Sequence, residues 1–92
     1  MLGFIKFERA MLKLQKGSRL VQENPAFLGS LAQREKGYRL MDEGKDYLRN
    51  NVKYVIGRVG GHDKAFDIYE GIFGFGEANV IFNKSGYHHS DY

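Results

Sequence analysis

The chain has 92 residues, a formal net charge of +3 and no cysteine. A domain of this size buries only somewhat more than ~60% of its unfolded surface, so we expect modest stability and dependence on a partner. The missing cysteines exclude a disulfide framework and thiolate metal sites, and they favour the cell interior, cytoplasm or organellar matrix, over secretion. The longest apolar runs are far shorter than the ~20 residues of a membrane-spanning helix, and no secretory leader is expected.

The charge is unevenly distributed along the chain. Residues 1–60 carry twelve Lys and Arg against six Asp and Glu, whereas residues 61–92 carry two against five. Such a division fits two segments that attract each other, or a basic face turned toward an acidic partner.

Residues 2–16 have the apolar spacing of an amphipathic helix. The apolar side chains recur at intervals of three, four and three residues, at Phe4, Phe7, Met11 and Leu14. Lys13 and Lys16 suit the negative end of the helix dipole, and Gly17 can adopt the left-handed conformation that closes a helix. The sequence therefore predicts a first helix that stops at Gly17.

A second, longer helix is predicted over residues 25–57. Asn24 can cap it and Pro25 suits its first position. Gly37 and Gly44 weaken it by ~1 kcal/mol each relative to alanine, but the apolar stripe keeps its phase past both of them. The stripe consists of Phe27, Leu31, Tyr38, Met41, Leu48, Val52 and Ile56. We expect this helix to pack antiparallel to the first, forming a helical hairpin.

The remaining segments are shorter. Residues 52–59 are rich in β-branched and aromatic side chains, so a strand is the alternative to helix there. A short third helix, residues 64–73, is predicted behind Asp63. An extended segment rich in aromatic residues follows it, centred on residues 78–82.

Residues 72–82 could instead form a two-stranded hairpin. We predict one small, mainly α domain over residues 1–82, and a flexible tail over residues 83–92.

Two observations predict a protein-binding surface. Arg34 and Lys45 fall inside the apolar stripe, where they either extend their charge to water or pair with acidic groups on a facing chain. A second stripe on the opposite side of the long helix, formed by Leu40, Tyr47 and Tyr54, suggests two neighbours, one of them another protein or a second copy. The predicted interface comprises Arg34, Leu40, Lys45, Tyr47, Tyr54, Phe75 and Tyr87.

Two other binding functions stay open. Basic residues interleaved with tyrosines could contact phosphates and stack on bases, although neighbouring acids dilute the charge. The residues of this nucleic-acid alternative are Arg39, Arg49, Lys53 and Arg58. The basic, amphipathic first helix could also lie on a membrane surface.

No catalytic, cofactor or metal site is predicted. His62-Asp63 is better explained as the start of a helix, and His88-His89 as part of a solvated tail. The glycine-rich segments match no phosphate-binding fingerprint. The sequence thus predicts a non-enzymatic structural or adaptor subunit that binds a larger protein assembly or itself, with no small-molecule substrate.

Overall fold

The fold is described by a computed structural model, which covers the backbone of residues 2–87 and the side chains of residues 5–87. Five helices occur in this part of the chain: α1 (Leu2–Glu23), α2 (Leu31–Asn50), α3 (Val52–Val59), α4 (His62–Phe73) and α5 (Phe75–Lys84). Residues 2–87 contain no strand. The predicted mainly α class and the hairpin of two long helices, α1 and α2, are confirmed.

Several predicted boundaries are wrong. The first helix continues through Gly17 to Glu23, and the second begins at Leu31 rather than at residue 25. The second helix also ends at Asn50, before the separate helix α3. The predicted extended segment at residues 78–82 is helical and belongs to α5.

The chain divides into two compact units between Tyr47 and Leu48. The first unit contains α1 and most of α2, and the second contains the last three residues of α2 together with α3, α4 and α5. The assignment of residues 1–82 to a single domain stays a prediction. Residues 83 and 84 are helical, and residues 88–92 of the predicted tail lie outside the described part of the chain.

Within the first unit, α1 and α2 meet along a seam that includes three buried glycines, Gly17, Gly37 and Gly44. A Cβ atom added to Gly17 would lie 2.5 Å from the carbonyl oxygen of Gly37, and one added to Gly44 would lie 2.7 Å from that of Ala10. Real Cβ atoms do not approach a backbone oxygen so closely, so any side chain at Gly17 or Gly44 would clash with the facing backbone. The backbones of α1 and α2 are therefore in contact at these positions. Gly17 and Gly37 therefore permit a close approach of the two helices that any larger residue at these positions would prevent.

The seam follows a heptad pattern on both helices. Its members alternate at intervals of three and four residues: Ala10, Leu14, Gly17 and Val21 on α1, and Arg34, Gly37, Met41 and Gly44 on α2. This spacing is that of antiparallel helices packed along a narrow stripe. Gly17 does not end α1, and its role is to leave room for Gly37 and Met41 of the facing helix.

The second unit has an aromatic core. The Phe82 ring is contacted edge to face by Phe66 and Tyr69, each with ring centroids 5.1 Å apart. All three side chains are buried. Gly60 (φ 94°) and Gly74 (φ 88°) make the left-handed turns that let α3, α4 and α5 fold over one another. The predicted third helix is thus confirmed as α4, and it supplies much of this core.

The end of α2 is also held by the aromatic core. The Tyr69 hydroxyl donates a hydrogen bond of 2.6 Å to the carbonyl oxygen of Leu48 in a buried position. This bond satisfies a carbonyl in the last turn of the helix, where regular helical partners run out. The chain leaves the helix at Asn51 and re-enters one at Val52, so the predicted second helix is divided into α2 and α3.

Candidate functional surfaces

The connection between α1 and α2 exposes large apolar side chains. We call residues 25–31 the hairpin tip. Phe27 is 97% exposed, Leu28 is 90% exposed and Leu31 is 70% exposed. A folded chain rarely leaves three large apolar side chains this accessible side by side unless they mark a binding surface. The sequence prediction that Phe27 and Leu31 help to form a packed helix face is therefore wrong.

The backbone of the hairpin tip is fixed by hydrogen bonds from Asn24. Its side-chain amide donates to the carbonyl oxygen of Leu20 at 2.9 Å, and its side-chain oxygen accepts from the amide of Ser30 at 3.0 Å. Asn24 thus joins the end of α1 to the start of α2. Gly29 packs directly against the Asn24 backbone, where a Cβ atom would overlap it.

Ser30, rather than Asn24, caps α2. The Ser30 hydroxyl accepts a hydrogen bond of 3.2 Å from the amide of Gln33, and the Ser30 carbonyl accepts one of 3.0 Å from the amide of Arg34. A serine followed three residues later by glutamine is the spacing of a capping box. This signal was available in the sequence and marks the true start of the second helix.

Arg34 braces the hairpin tip from the α2 side. Its guanidinium donates to the carbonyl oxygens of Val21 at 3.4 Å and Asn24 at 3.1 Å. A cation beside the last carbonyls of a helix satisfies acceptors and suits the helix dipole. The same guanidinium donates to the Tyr38 hydroxyl at 3.0 Å and lies 5.3 Å from the centre of its ring. Arg34 therefore serves the hairpin's own structure.

The other predicted interface residues do not form one helix face. Leu40, Lys45 and Tyr47 are half-buried on α2, whereas Tyr54 is exposed on α3. Since α2 ends at Asn50, the second stripe is divided between two helices. In the second unit, the exposed Phe75 packs edge to face on Phe66, and Tyr87 lies near the His62 ring. Their role as an interface stays a prediction.

The second unit contains an open groove of about 890 Å³ beside the start of α3. It brings together Lys53 and Arg58, two of the four residues of the nucleic-acid alternative. Among the described residues, those lining it include no acidic side chain: Asn50, Asn51, Val52, Lys53, Tyr54, Gly57, Arg58 and Ser85. We call this feature the α3 groove.

The other two residues of that alternative lie elsewhere. Arg49 forms an ion pair of 3.2 Å with Glu77, and its guanidinium lies 5.0 Å from the centre of the Phe73 ring. Arg39 is exposed in the first unit. The structure therefore does not assemble all four basic residues into one surface within either unit.

His62 and Asp63 contact each other at the start of α4. The Nδ1 atom of His62 lies 3.6 Å from a carboxylate oxygen of Asp63, and the His62 ring packs edge to face on Phe82. Asp63 lies in the first turn of the helix, where its charge suits the dipole. In the part of the chain that the structure describes, no three His, Cys, Asp or Glu residues are placed to share a metal ion. His88-His89 lies outside that part.

The described helices are also too short or too polar for any of them to cross a membrane. Comparisons with protein-family models, curated proteins and solved structures give no match. Within the described part of the chain, the hairpin tip and the α3 groove are two candidate surfaces for function.

Proposed function

We propose that the chain is a small non-enzymatic adaptor subunit that binds another protein through the hairpin tip. In this proposal Phe27 and Leu28 enter an apolar groove of the partner. The supporting observation is that a hydrogen-bonded turn holds both side chains almost fully in solvent. Leu31 lies beside them at the first residue of α2 and extends the apolar contact.

The size of the hairpin tip favours a concave partner. Burying a side chain such as Phe27 or Leu28 stabilises a complex by roughly 1.5–3 kcal/mol. The tip has three such side chains, which is less surface than the ~800 Å² per partner of a standard interface. It therefore fits the role of a central anchor that is fully desolvated in a pocket, surrounded by weaker contacts.

The bracing of the tip also suits binding. Ordering a flexible loop on association opposes binding by about 0.5–1.5 kcal/mol for each immobilised side chain, in addition to the backbone term. Asn24 and Arg34 already fix the backbone on both sides of Phe27 in the free chain. The partner then needs to order only the exposed side chains.

The membrane-surface alternative for the first helix has less support. That alternative requires the apolar face of α1 to be free, but Phe7 is buried and Leu14 lies in the seam against Gly44. The hairpin tip is the more accessible apolar surface of the first unit.

A site-specific photocrosslinker tests the proposal. It would replace Phe27 in one variant and Leu12 in a matched control, because Leu12 is 62% exposed on α1 but lies outside the tip. In cells of the native source we expect a discrete protein adduct from position 27 and a much weaker one from position 12. The adducted residues of the partner should line an apolar pocket.

Stability measurements complete the test. Leu28→Ser should abolish the adduct formed from position 27 while changing the free energy of unfolding by less than about 0.5 kcal/mol, as for other exposed positions. Equal labelling from positions 12 and 27, or adducts with lipid alone, would contradict the proposal. An adduct between two copies of this chain would contradict the adaptor proposal and show that the protein self-associates through the tip.

A further inference from the structure

The first four turns of α1 carry basic side chains along one side of the helix. They recur at intervals of three, four and three residues, at Lys6, Arg9, Lys13 and Lys16. Residues at this spacing are neighbours on a helix surface, so the set extends over about 15 Å. We call it the basic row. It ends in the next two turns, where Leu20 and Glu23 follow on the same side.

The basic row has little acidic charge beside it. Lys13 forms an exposed ion pair of 3.0 Å with Glu43 of α2. Among the described residues, no ion pair or hydrogen bond holds the exposed side chains of Lys6, Arg9 and Lys16. The row and Glu43 together have a net charge of +3, and the rest of the chain has ten Lys and Arg against ten Asp and Glu. The net positive charge of the chain is therefore concentrated here.

The chemistry of the basic row favours a nucleic acid over a protein. Protein interfaces have an apolar centre in which Lys is depleted, whereas interfaces with nucleic acid are more polar and more positively charged. The exposed Ile5 and Leu12 flank the row, but they stand seven residues apart and do not form one apolar centre. A duplex carries one negative charge per ~1.7 Å of its axis, so the row can face several phosphates at once.

The basic row also favours a duplex over a single strand. Proteins that hold single strands stack the bases on aromatic rings. A small cavity of about 150 Å³ beside the row contains an aromatic residue, Tyr47, but this residue is half-buried. Cations without a stacking platform contact the phosphate backbone, which carries no direct sequence information.

We infer that the basic row binds the phosphate backbone of a nucleic-acid duplex without reading its sequence. Lys6, Arg9 and Lys16 supply the phosphate contacts, while Lys13 stays paired with Glu43. This inference concerns α1 and is independent of the adaptor function proposed for the hairpin tip. It also differs from the nucleic-acid alternative drawn from the sequence, since none of the four residues of that alternative lies in the row.

Fluorescence anisotropy with a labelled DNA duplex of about 20 base pairs tests the inference on the full chain. Three phosphate contacts predict a slope of about −2.7 for the logarithm of the association constant against the logarithm of the salt concentration. The affinity should then fall roughly fortyfold between 50 and 200 mM salt. A duplex of unrelated sequence should bind equally well. No binding at 50 mM salt would overturn the inference.

A charge-matched pair of double variants locates the contact. Lys6→Gln with Lys16→Gln removes two of the three contacts, so the slope should change to about −0.9 and the affinity at 50 mM salt should decrease at least about tenfold. Lys53→Gln with Lys84→Gln removes the same charge from exposed positions in the second unit and should leave both values nearly unchanged. Equal weakening by the two double variants would show attraction to the net charge alone and overturn the inference.

Other polyanions separate the possible partners. Binding of a DNA or an RNA duplex supports the inference, and the tighter of the two identifies the source. Polyglutamate of the same charge should bind more weakly, and equal binding would indicate an acidic protein and overturn the inference. Tighter binding of the single strand than of the duplex would also overturn it. Leu28→Ser should leave all of these titrations unchanged, which separates the basic row from the hairpin tip.

Discussion

Glycines occur in two different helical environments in this chain. Gly17 and Gly37 lie in the seam, where each would place a Cβ against a backbone oxygen of the facing helix. Gly71 lies within α4, and nothing is within 4 Å of the position its Cβ would take. The same residue type is therefore required by packing in α1 and α2, while in α4 it only weakens the helix.

This difference predicts opposite effects of alanine. Gly37→Ala should lower the free energy of unfolding by about 1–2 kcal/mol, because the backbone overlap with Gly17 outweighs the ~1 kcal/mol gain in helix propensity. Gly71→Ala should raise it by roughly 0.5–1 kcal/mol. Urea unfolding followed by circular dichroism measures both. Stabilisation by both substitutions would show that the seam is looser than described.

At the scale of elements, the turn between α1 and α2 depends on two polar side chains that cap opposite helix ends. Ser30 satisfies an amide at the start of α2, and Arg34 satisfies carbonyls at the end of α1. Arg34 reaches across the hairpin because it occupies a seam position facing Val21. The charge of Arg34 falls within the apolar pattern of α2 because its guanidinium binds carbonyl oxygens at the end of α1 in the same chain.

This arrangement predicts that Arg34→Gln destabilises the hairpin by about 1 kcal/mol, since the carbonyls of Val21 and Asn24 lose a charged donor. Arg39→Gln is the matched control, because Arg39 is exposed on the same helix and should change stability by less than about 0.5 kcal/mol. Equilibrium unfolding in urea gives both values. Equal losses from the two variants would contradict the capping role.

At the scale of the whole molecule, the two units differ in how they are stabilised. Among the described residues, the buried apolar side chains of the first unit are those of Phe7 and Ala10, and the backbones at Gly17, Gly37 and Gly44 occupy much of its seam. The described core of the second unit contains Leu48, Val52, Val55, Ala65, Phe66, Tyr69, Ala78, Ile81 and Phe82. Since apolar burial is the main stabilising contribution, the first unit should open more readily.

Native-state hydrogen exchange tests this difference. Amides in the middle of α1 should exchange at least about tenfold faster, after correction for intrinsic rates, than those of Phe66 and Tyr69 in α4. Gly37→Ala should speed exchange in α1 without changing α4. Uniform protection across both units, altered equally by that substitution, would show that the chain opens only as a whole.

Much of the secondary structure could be predicted from local pattern. Helix α4 is predictable because its buried residues Phe66 and Tyr69 recur at helical spacing behind an acidic first turn. The extended prediction for residues 78–82 is wrong because β-branched and aromatic residues there favour a strand locally, whereas packing of Phe82 on Phe66 and Tyr69 of α4 favours a helix. Tertiary packing overrides such weak propensities.

The hairpin tip was harder to predict. Phe27 and Leu31 continue the apolar phase of α2, so periodicity alone placed them on a buried face. The Ser30-x-x-Gln33 capping signal separates Phe27 from the helix and places Leu31 at its first position. The α3 groove could not be predicted, because it depends on how Ser85 comes near Lys53 and Arg58 across the second unit.

The sequence by itself determined that the chain is mainly helical and that Phe66 and Tyr69 lie on a buried helix, because helical periodicity and side-chain hydrophobicity are local properties. Only the tertiary structure decided which face of α2 is buried. Gly37 and Gly44 carry no hydrophobic side chain, so a hydrophobic pattern cannot reveal them as the seam. Their small size matters only once Gly17 and Ala10 approach from α1, because that contact joins residues far apart in the chain.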